Sequence, residues 1–304
     1  MAIRAEESAW FGAQHIGSRA LLGTLPVAML DQAHRVDTGR TLGEHMREAG
    51  VNIDRLRRAE PLLDLRSVGG YIELHIEQGP LLVERELPVG IVSAIRGNRR
   101  CRRATCAGAY GHSGTMPRVL RHDAVFAVAD LVVEMDALWR EIEEDEGGDL
   151  VLTFGQFSTD AATHSVTSVP GHVTFSFDAR SHSQEILDRV EHDLLAKATA
   201  IGRRRGAIFE FAPITGDPPI AMDRRLHSQL LEGCHRLGIP STSLASGAGH
   251  DAGDFAAAGI PSAMIFVRND NGSHNPQESM DIGDFAAGVR LLTWFVGNFD
   301  ARQP

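Results

Sequence analysis

A change of texture near residue 95, reversed near residue 214, constrains this chain more than any other feature of it. Before the change, FGAQHIGSRALL (11–22) predicts a loop entering a short helix, and LGEHMREAG (42–50) a helix closed by glycine. YIELHI, inside VGGYIELHIEQGP (68–80), alternates as a strand does and stops at Gly-Pro. After the change back, the turn-rich TGDPPIAMD (215–223) leads to a helix over 224–237, a strand SAMIFV (262–267) and a helix DFAAGVRLLTWFVGNF (284–299). Between these flanks, VGIVSAIRGNRRCRRATCAG (89–108) predicts two short β runs. AVFAVADLVVEMDALW (124–139) predicts a helix, LVLTFGQFS (150–158) and GHVTFSFDAR (171–180) predict strands, and SQEILDRVEHDLLAKATAIG (183–202) a second helix before the strand AIFEFAPI (207–214). The order β-α-β-β-α-β is that of a ferredoxin-like sandwich inserted as a unit. The expected fold is therefore an α/β domain in two pieces, 1–95 and 214–304, interrupted by an α+β domain over 96–213.

The bulk numbers agree with two domains and narrow the function classes. A chain of 304 residues exceeds one ordinary core. With 43% hydrophobic and 23% charged residues it has the composition of a soluble globular protein. A formal charge of −10 argues against a nucleic-acid binder. The arginine-rich NRRCRR (98–103) and GRRRG (202–206) sit beside strand-like runs, where solvated charge is ordinary. Three cysteines without CxxC spacing make neither a disulfide framework nor a zinc knuckle, which points to a reducing, cytoplasmic setting. No apolar stretch approaches a membrane span, and a signal-peptide core is absent from the N-terminus.

Three of the fourteen histidines stand out by context. His75 lies inside an apolar strand, where a satisfied core histidine is the ordinary reading and a ligand the other. His274 sits in NGSHNPQE directly after the strand SAMIFV, and loops at the carboxyl ends of α/β strands are where ligands bind. His250, in SGAGHDAGDF, lies in a small-residue loop entering a helix, where backbone N–H groups hold anions and an imidazole can polarise or shuttle a proton. Glu6 and Glu7 end a segment, IRAEE, that reads as a short strand with adjacent carboxylates on different sides. Such a pair is ordinarily solvated. As part of a reaction centre, one would bind a metal while its neighbour takes a proton from metal-bound water, whose pKa zinc lowers to about 7.

EESAWFG with GSRALLG, YIELHIEQGP, GAYGHSGTMPRVLRHDA, SVPGHVTFSFDAR, SGAGHDAGDF and FVRNDNGSHNPQE occur together and in order. They resemble the amidase/hydantoinase-carbamoylase branch of the M20 metallohydrolases, which holds N-carbamoyl-L-amino-acid hydrolases, allantoate amidohydrolases and β-ureidopropionases. The resemblance runs over essentially the whole chain. It implies a mixed-sheet metallohydrolase domain with an inserted dimerisation or lid domain, and two divalent metal sites taking zinc, or manganese, cobalt or nickel. Residue by residue, it makes Glu6 the general base, Glu7 and His274 ligands of one metal, and His75 a ligand of the other. Gln78 resembles a substrate-facing glutamine. Arg180 resembles the arginine that grips the substrate carboxylate, a task suited to its bidentate fork. His250 matches the active-site histidine of the GAGHDA motif. His112, in GHSGTMP, resembles the histidine that one subunit lends to its partner to stabilise an oxyanion, which implies a homodimer.

Two departures from the family pattern matter. Where the family has asparagine before the VPG turn, this chain has Thr167, whose hydroxyl offers fewer hydrogen-bonding groups than an amide. The family's HxD motif upstream of the acidic pair has no counterpart: HRVD (34–37) and HDA (122–124 and 250–252) stand elsewhere. The resemblance thus implies a catalytic domain shortened at its N-terminus and lacking its bridging carboxylate and one histidine, with weaker metal binding expected. The expected activity is metal-dependent hydrolysis of a non-peptide C–N bond in an N-carbamoyl-L-amino acid or an allantoate-like ureido compound. One alternative is a metal-poor, catalytically silent relative that dimerises or binds a ligand. The other is an M20 metallopeptidase, although peptidase branches carry a carboxylate where His75 stands. All of this requires Glu7, His75 and His274 to converge on one cluster of cations.

Overall fold

The structure, a computed structural model, describes residues 3–300. It divides into two compact units, one made of residues up to Ile95 and from Ile220 onward, the other of Arg96–Pro219. In chain order the strands are β1 (Tyr71–Ile76), β2 (Val89–Ile95), β3 (Gly97–Ala107), β4 (Gly111–His112), β5 (Val151–Thr153), β6 (Phe157–Thr159), β7 (Ser168–Val169), β8 (His172–Ser181), β9 (Ile208–Phe211), β10 (Ile220–Ala221), β11 (Ser241–Ser246) and β12 (Ser262–Val267).

A five-stranded mixed sheet carries the first unit. β1 runs parallel to β12, β12 antiparallel to β2, and β2 is flanked further by parallel β11 and a short antiparallel pairing with β10. β12 is buried at every residue, as a central strand covered on both faces must be. On one face, Val89, Ile91, Ala263 and Ile265 pack against Leu226 and Leu230 of helix Arg224–Leu237 and Leu291 and Phe295 of helix Ile282–Asn298. On the other, Val92, Met264 and Phe266 pack against Leu82 and against Ala252 of helix Asp251–Ala257. The parallel register Glu73↔Met264 and His75↔Phe266 places Tyr71, Glu73 and His75 on this second face. Ile72 and Leu74 join the opposite core, and Tyr71 stacks on Phe255 of the short helix at 3.9 Å between ring centroids. Strand alternation thus aims two ionisable side chains at the layer formed by helix Asp251–Ala257.

Four short helices, Ile16–Leu22, Met29–Gln32, Leu42–Glu48 and Ile53–Arg57, precede β1 and close a small core around Ile16, Leu30, Leu42 and Leu56. Residues 3–6 do not form the short strand expected of IRAEE: no strand pairs with them among the described residues. Ala5 takes a left-handed φ of 58°, and the carbonyls of Ala5 and Glu6 accept from the N–H groups of Ile16 and His15 at 3.0 and 2.8 Å. This bend, rather than strand pleating, aims the two carboxylates. Gly17 permits it, because a Cβ there would lie 2.4 Å from the Arg4 carbonyl oxygen.

The second unit has an antiparallel sheet in the order β5-β8-β3-β9, with β6 also on β8. Helices Ala124–Arg140 and Gln184–Arg205 complete the ferredoxin-like β-α-β-β-α-β order, and share one core with Val173, Phe175 and Phe177 of β8. Asp123 and Ser183 cap the two helices with their side-chain oxygens. LVLTFGQFS is two strands rather than one. Gln156 turns its N–H to the Ser176 hydroxyl and its carbonyl to the Ser176 N–H, both at 3.0 Å, and this interrupts the ladder between β5 and β6. Residues 215–217 stay with this unit because Thr215 and Asp217 hydrogen-bond the backbone of β3 at Arg100 and Asn98.

Candidate metal centre

Glu6, Glu73, His75 and His250 each offer a ligand atom, and these atoms lie within 4.8 Å of one another. β1 supplies Glu73 and His75, the N-cap position of helix Asp251–Ala257 supplies His250, and the N-terminal bend supplies Glu6. The hydrogen bonds fix the tautomer of His75 and leave one nitrogen of His250 unpartnered. His75 Nδ1 lies 2.7 Å from the Ile76 carbonyl oxygen, which only accepts, so Nδ1 carries the proton and Nε2 is a bare lone pair. His250 Nε2 lies 2.7 Å from the Ser246 hydroxyl, which also stands 3.0 Å from the Ala248 carbonyl oxygen and accepts the Ala248 N–H at 3.1 Å. His250 Nδ1 is buried without a hydrogen-bond partner and faces Glu6 Oε1 at 3.7 Å.

Burial dominates the electrostatics of this nest. His250 is 1% exposed, and desolvation, with His75 and His15 nearby, lowers its pKa to about 3. Glu73 is 9% exposed, and burial raises its pKa to about 8 although its Oε2 accepts the Ala252 N–H at 2.7 Å. Glu6 is also raised, by desolvation first and then by Glu7, against the pull of His75. Beside the nest lies a second group, His15, Asp251 and Asp254. Burial lowers the His15 pKa, but the 2.8 Å contact of Nδ1 with Asp254 outweighs it and the net shift is upward. Asp251, raised by desolvation, is held at 2.5 Å by the buried Ser18 hydroxyl.

Glu7 points the other way. Its Oε1 lies 3.0 Å from His274 Nε2 and 3.3 Å from Gln78 Nε2, in a more open setting. The loops carrying Gln78 and His274 leave the adjacent ends of parallel β1 and β12, and both residues are held in the left-handed region, φ 60° and 59°. Asn269, 1% exposed, clamps them: its Oδ1 accepts the Gln78 N–H and its Nδ2 donates to the Gly272 carbonyl, each at 2.9 Å. Glu77 steadies the first loop by accepting the N–H groups of Leu81 and Leu82, both at 2.8 Å, and Glu278 the second by accepting from Ser273 and from the His274 N–H. Glu7 and His274 thus meet directly, whereas His75 sits with Glu6. The adjacent carboxylates Glu6 and Glu7 link the two groups.

In the second unit, His112 on β4 is exposed and pairs with Ser168 of β7; the neighbouring Ser113 N–H donates to the Thr167 carbonyl at 2.9 Å. Arg180, on β8 opposite Asn98 and Val151, holds Asp178 at 2.7 Å through Nε.

Sequence reasoning missed Glu73, His15, Ser18, Asp251, Asp254 and Asn269. Glu73 was legible as the strand residue two before His75, on the same face. His15 and Ser18 flank the start of a seven-residue helix, and nothing in their local pattern marks them.

The chain matches peptidase family M20/M25/M40 over residues 2–298. It is 35% identical over 288 residues to the N-carbamoyl-L-amino acid amidohydrolase of Geobacillus stearothermophilus, covering 94% of this chain and 67% of that protein. It is 31% identical over 295 residues to the allantoate amidohydrolase of Escherichia coli (strain K12), covering 96% and 68%. The crystal structure of an amidase of the hydantoinase/carbamoylase family from Burkholderia multivorans superposes with a TM-score of 0.80 at 28% identity, over 94% of this chain and 66% of that one. The chain thus spans about two thirds of the length of these relatives, with the paired carboxylates and the histidine-bearing strand ends inside the matched region, and it belongs to peptidase family M20/M25/M40.

Proposed function

We propose that this chain hydrolyses the ureido C–N bond of an N-carbamoyl-L-amino acid or an allantoate-like compound, with divalent cations held by Glu7 and His274 on one side and by His75 on the other. The observation that carries the reading is the split of two adjacent carboxylates: Glu7 reaches His274 at 3.0 Å, while Glu6 turns into a buried nest with His75. The donor set fits a cation, since the His75 Nε2 lone pair and the unpartnered His250 Nδ1 stand beside carboxylate oxygens. A bound zinc, manganese, cobalt or nickel ion would supply Lewis acidity and an acidified water.

The chain's own residues account for the rest. Glu6, with a pKa raised by burial, is placed to take a proton from water and return it to the leaving nitrogen. Gln78 is turned toward the cation side by its left-handed backbone and offers an amide to the substrate. His250 lines the floor of the site. On the second unit, Arg180 would bind the substrate carboxylate, Thr167 would border it, and His112 would donate to the developing oxyanion from a partner subunit. A homodimer through the second unit is supported by the exposed Ile208 on β9, the end strand of its sheet.

Ammonia release from N-carbamoyl-L-amino acids and from allantoate, by protein loaded with zinc or manganese, tests the proposal. Glu6→Gln should remove turnover and leave cation uptake intact. Ligand binding with no ammonia release would replace this reading by that of a silent, ligand-binding relative; cleavage of a dipeptide instead would make the chain a peptidase.

A further inference from the structure

We propose that Glu73 and His250 join His75 as a three-ligand cation site, two imidazoles and one carboxylate, with Glu6 facing its open position. The inference rests on the proposed function only for His75. Its foundation is a conflict in the nest that protein groups leave unresolved. His250 Nδ1, on a side chain 1% exposed, has no hydrogen-bond partner and faces Glu6 Oε1 3.7 Å away. His75 Nε2 is a lone pair in the same space, and the two rings meet edge to face at 4.6 Å between centroids. Glu73 is a third acceptor. One of its oxygens takes the Ala252 N–H, and the charges that bear on it are Asp251, Glu6 and His15, with no arginine or lysine among them.

Glu6, Glu73 and the His75 lone pair are acceptors gathered in one small space, and acceptors so placed repel unless something positive lies between them. Two neutral imidazoles and two carboxylates compensate a divalent ion in full, and two histidines with one carboxylate plus an open position is a ligand set zinc accepts. Each of the three side chains is also held by a further hydrogen bond: the Ile76 carbonyl orients His75, Ser246 orients His250, and the Ala252 N–H orients Glu73. Neither Glu7 nor His274 belongs to this site. The alternative is that protons alone satisfy the nest, with Glu6 and Glu73 neutral.

Zn²⁺ titration of the chelator-stripped chain, by calorimetry and by thermal shift, separates the two. Wild type should show a tight Zn²⁺ event that raises Tm. Glu73→Gln keeps the shape of the side chain and an acceptor for Ala252. It should leave the Tm of the stripped protein unchanged or higher, while weakening the tight event at least tenfold, and His250→Asn should weaken it similarly. His274→Asn should retain it. The proposal is overturned if wild type takes up no Zn²⁺, if Glu73→Gln binds as wild type does, if Glu73→Gln lowers the stripped Tm but keeps the full Zn²⁺-induced rise, or if His274→Asn abolishes the tight event. Absence of ammonia release with the tight event intact would sink the proposed function and leave this site standing.

Discussion

Asn269→Ala tests whether one buried amide sets the geometry of the Glu7 side of the centre. The side chain makes two 2.9 Å hydrogen bonds, to the Gln78 N–H and the Gly272 carbonyl, from a position 1% exposed. A neutral hydrogen bond contributes about 1 kcal/mol net, and a buried donor left unmade costs about 1–3 kcal/mol. Gly272 is exposed, so water replaces the amide at its carbonyl; the Gln78 N–H is half-buried and is served less well. The expected loss is therefore about 2 kcal/mol. At roughly 2–4 °C per kcal/mol for a unit of this size, Tm should fall by about 4–8 °C. The effect on the site should be larger than the effect on the fold. Gln78 and His274 are held at φ 60° and 59°, a conformation that costs a non-glycine residue about 1–2 kcal/mol and persists only while the surroundings impose it. Once released, Gln78 should turn away from Glu7 and His274. Urea unfolding gives the stability, and ammonia release gives kcat/KM, which should fall at least tenfold. Asn269→Asp keeps the acceptor for Gln78 but sets a carboxylate against the Gly272 carbonyl, so it should recover stability in part and activity less. An alanine variant within 0.5 kcal/mol of wild type, with unchanged kcat/KM, would refute the clamp.

Gly17→Ala places a Cβ 2.4 Å from the Arg4 carbonyl oxygen, so it should push the segment bearing Glu6 and Glu7 off helix Ile16–Leu22; turnover should drop more than Tm, and equal activity would exclude this role. In chelator-stripped protein, the Glu73 carboxyl titrates near 8 when folded against 4.5 when unfolded. The folded chain thus keeps a proton that the unfolded chain has released. The stability this contributes is full below about pH 4.5 and declines toward pH 8, by up to about 1.4 kcal/mol per pH unit. Urea unfolding at pH 5, 6, 7 and 8 should show Glu73→Gln flattening that decline by one proton, and parallel curves would count against it. His112→Ala should lower kcat more than it raises KM, whereas a pure KM effect would make His112 a binding group.

The elements that were legible in the sequence are those whose periodicity is long enough to average over local detail: helices Ala124–Arg140 and Gln184–Arg205, the continuous apolar β12, and the alternating β1. β11 was not, because STSLAS is polar and buries chiefly Leu244 and Ser246, its place in the sheet being set by pairing with β2. The candidate site divides in the same way. His75, His250, His274 and the Glu6-Glu7 pair stand in segments whose composition is unusual for their position. Glu73 stands in a pattern that looks ordinary, since a glutamate between isoleucine and leucine in an alternating strand reads as the solvent face. Alternation reports that two faces differ, and it does not report what covers the polar one. Here the cover is helix Asp251–Ala257, seven residues long and too short to show a period of its own, yet it supplies Ala252 to Glu73 and carries His250 at its start. The polar face of β1 is therefore an interior surface, and the carboxylate and imidazole on it are buried groups in need of partners rather than solvated ones. That single placement turns an ordinary strand into one wall of a site.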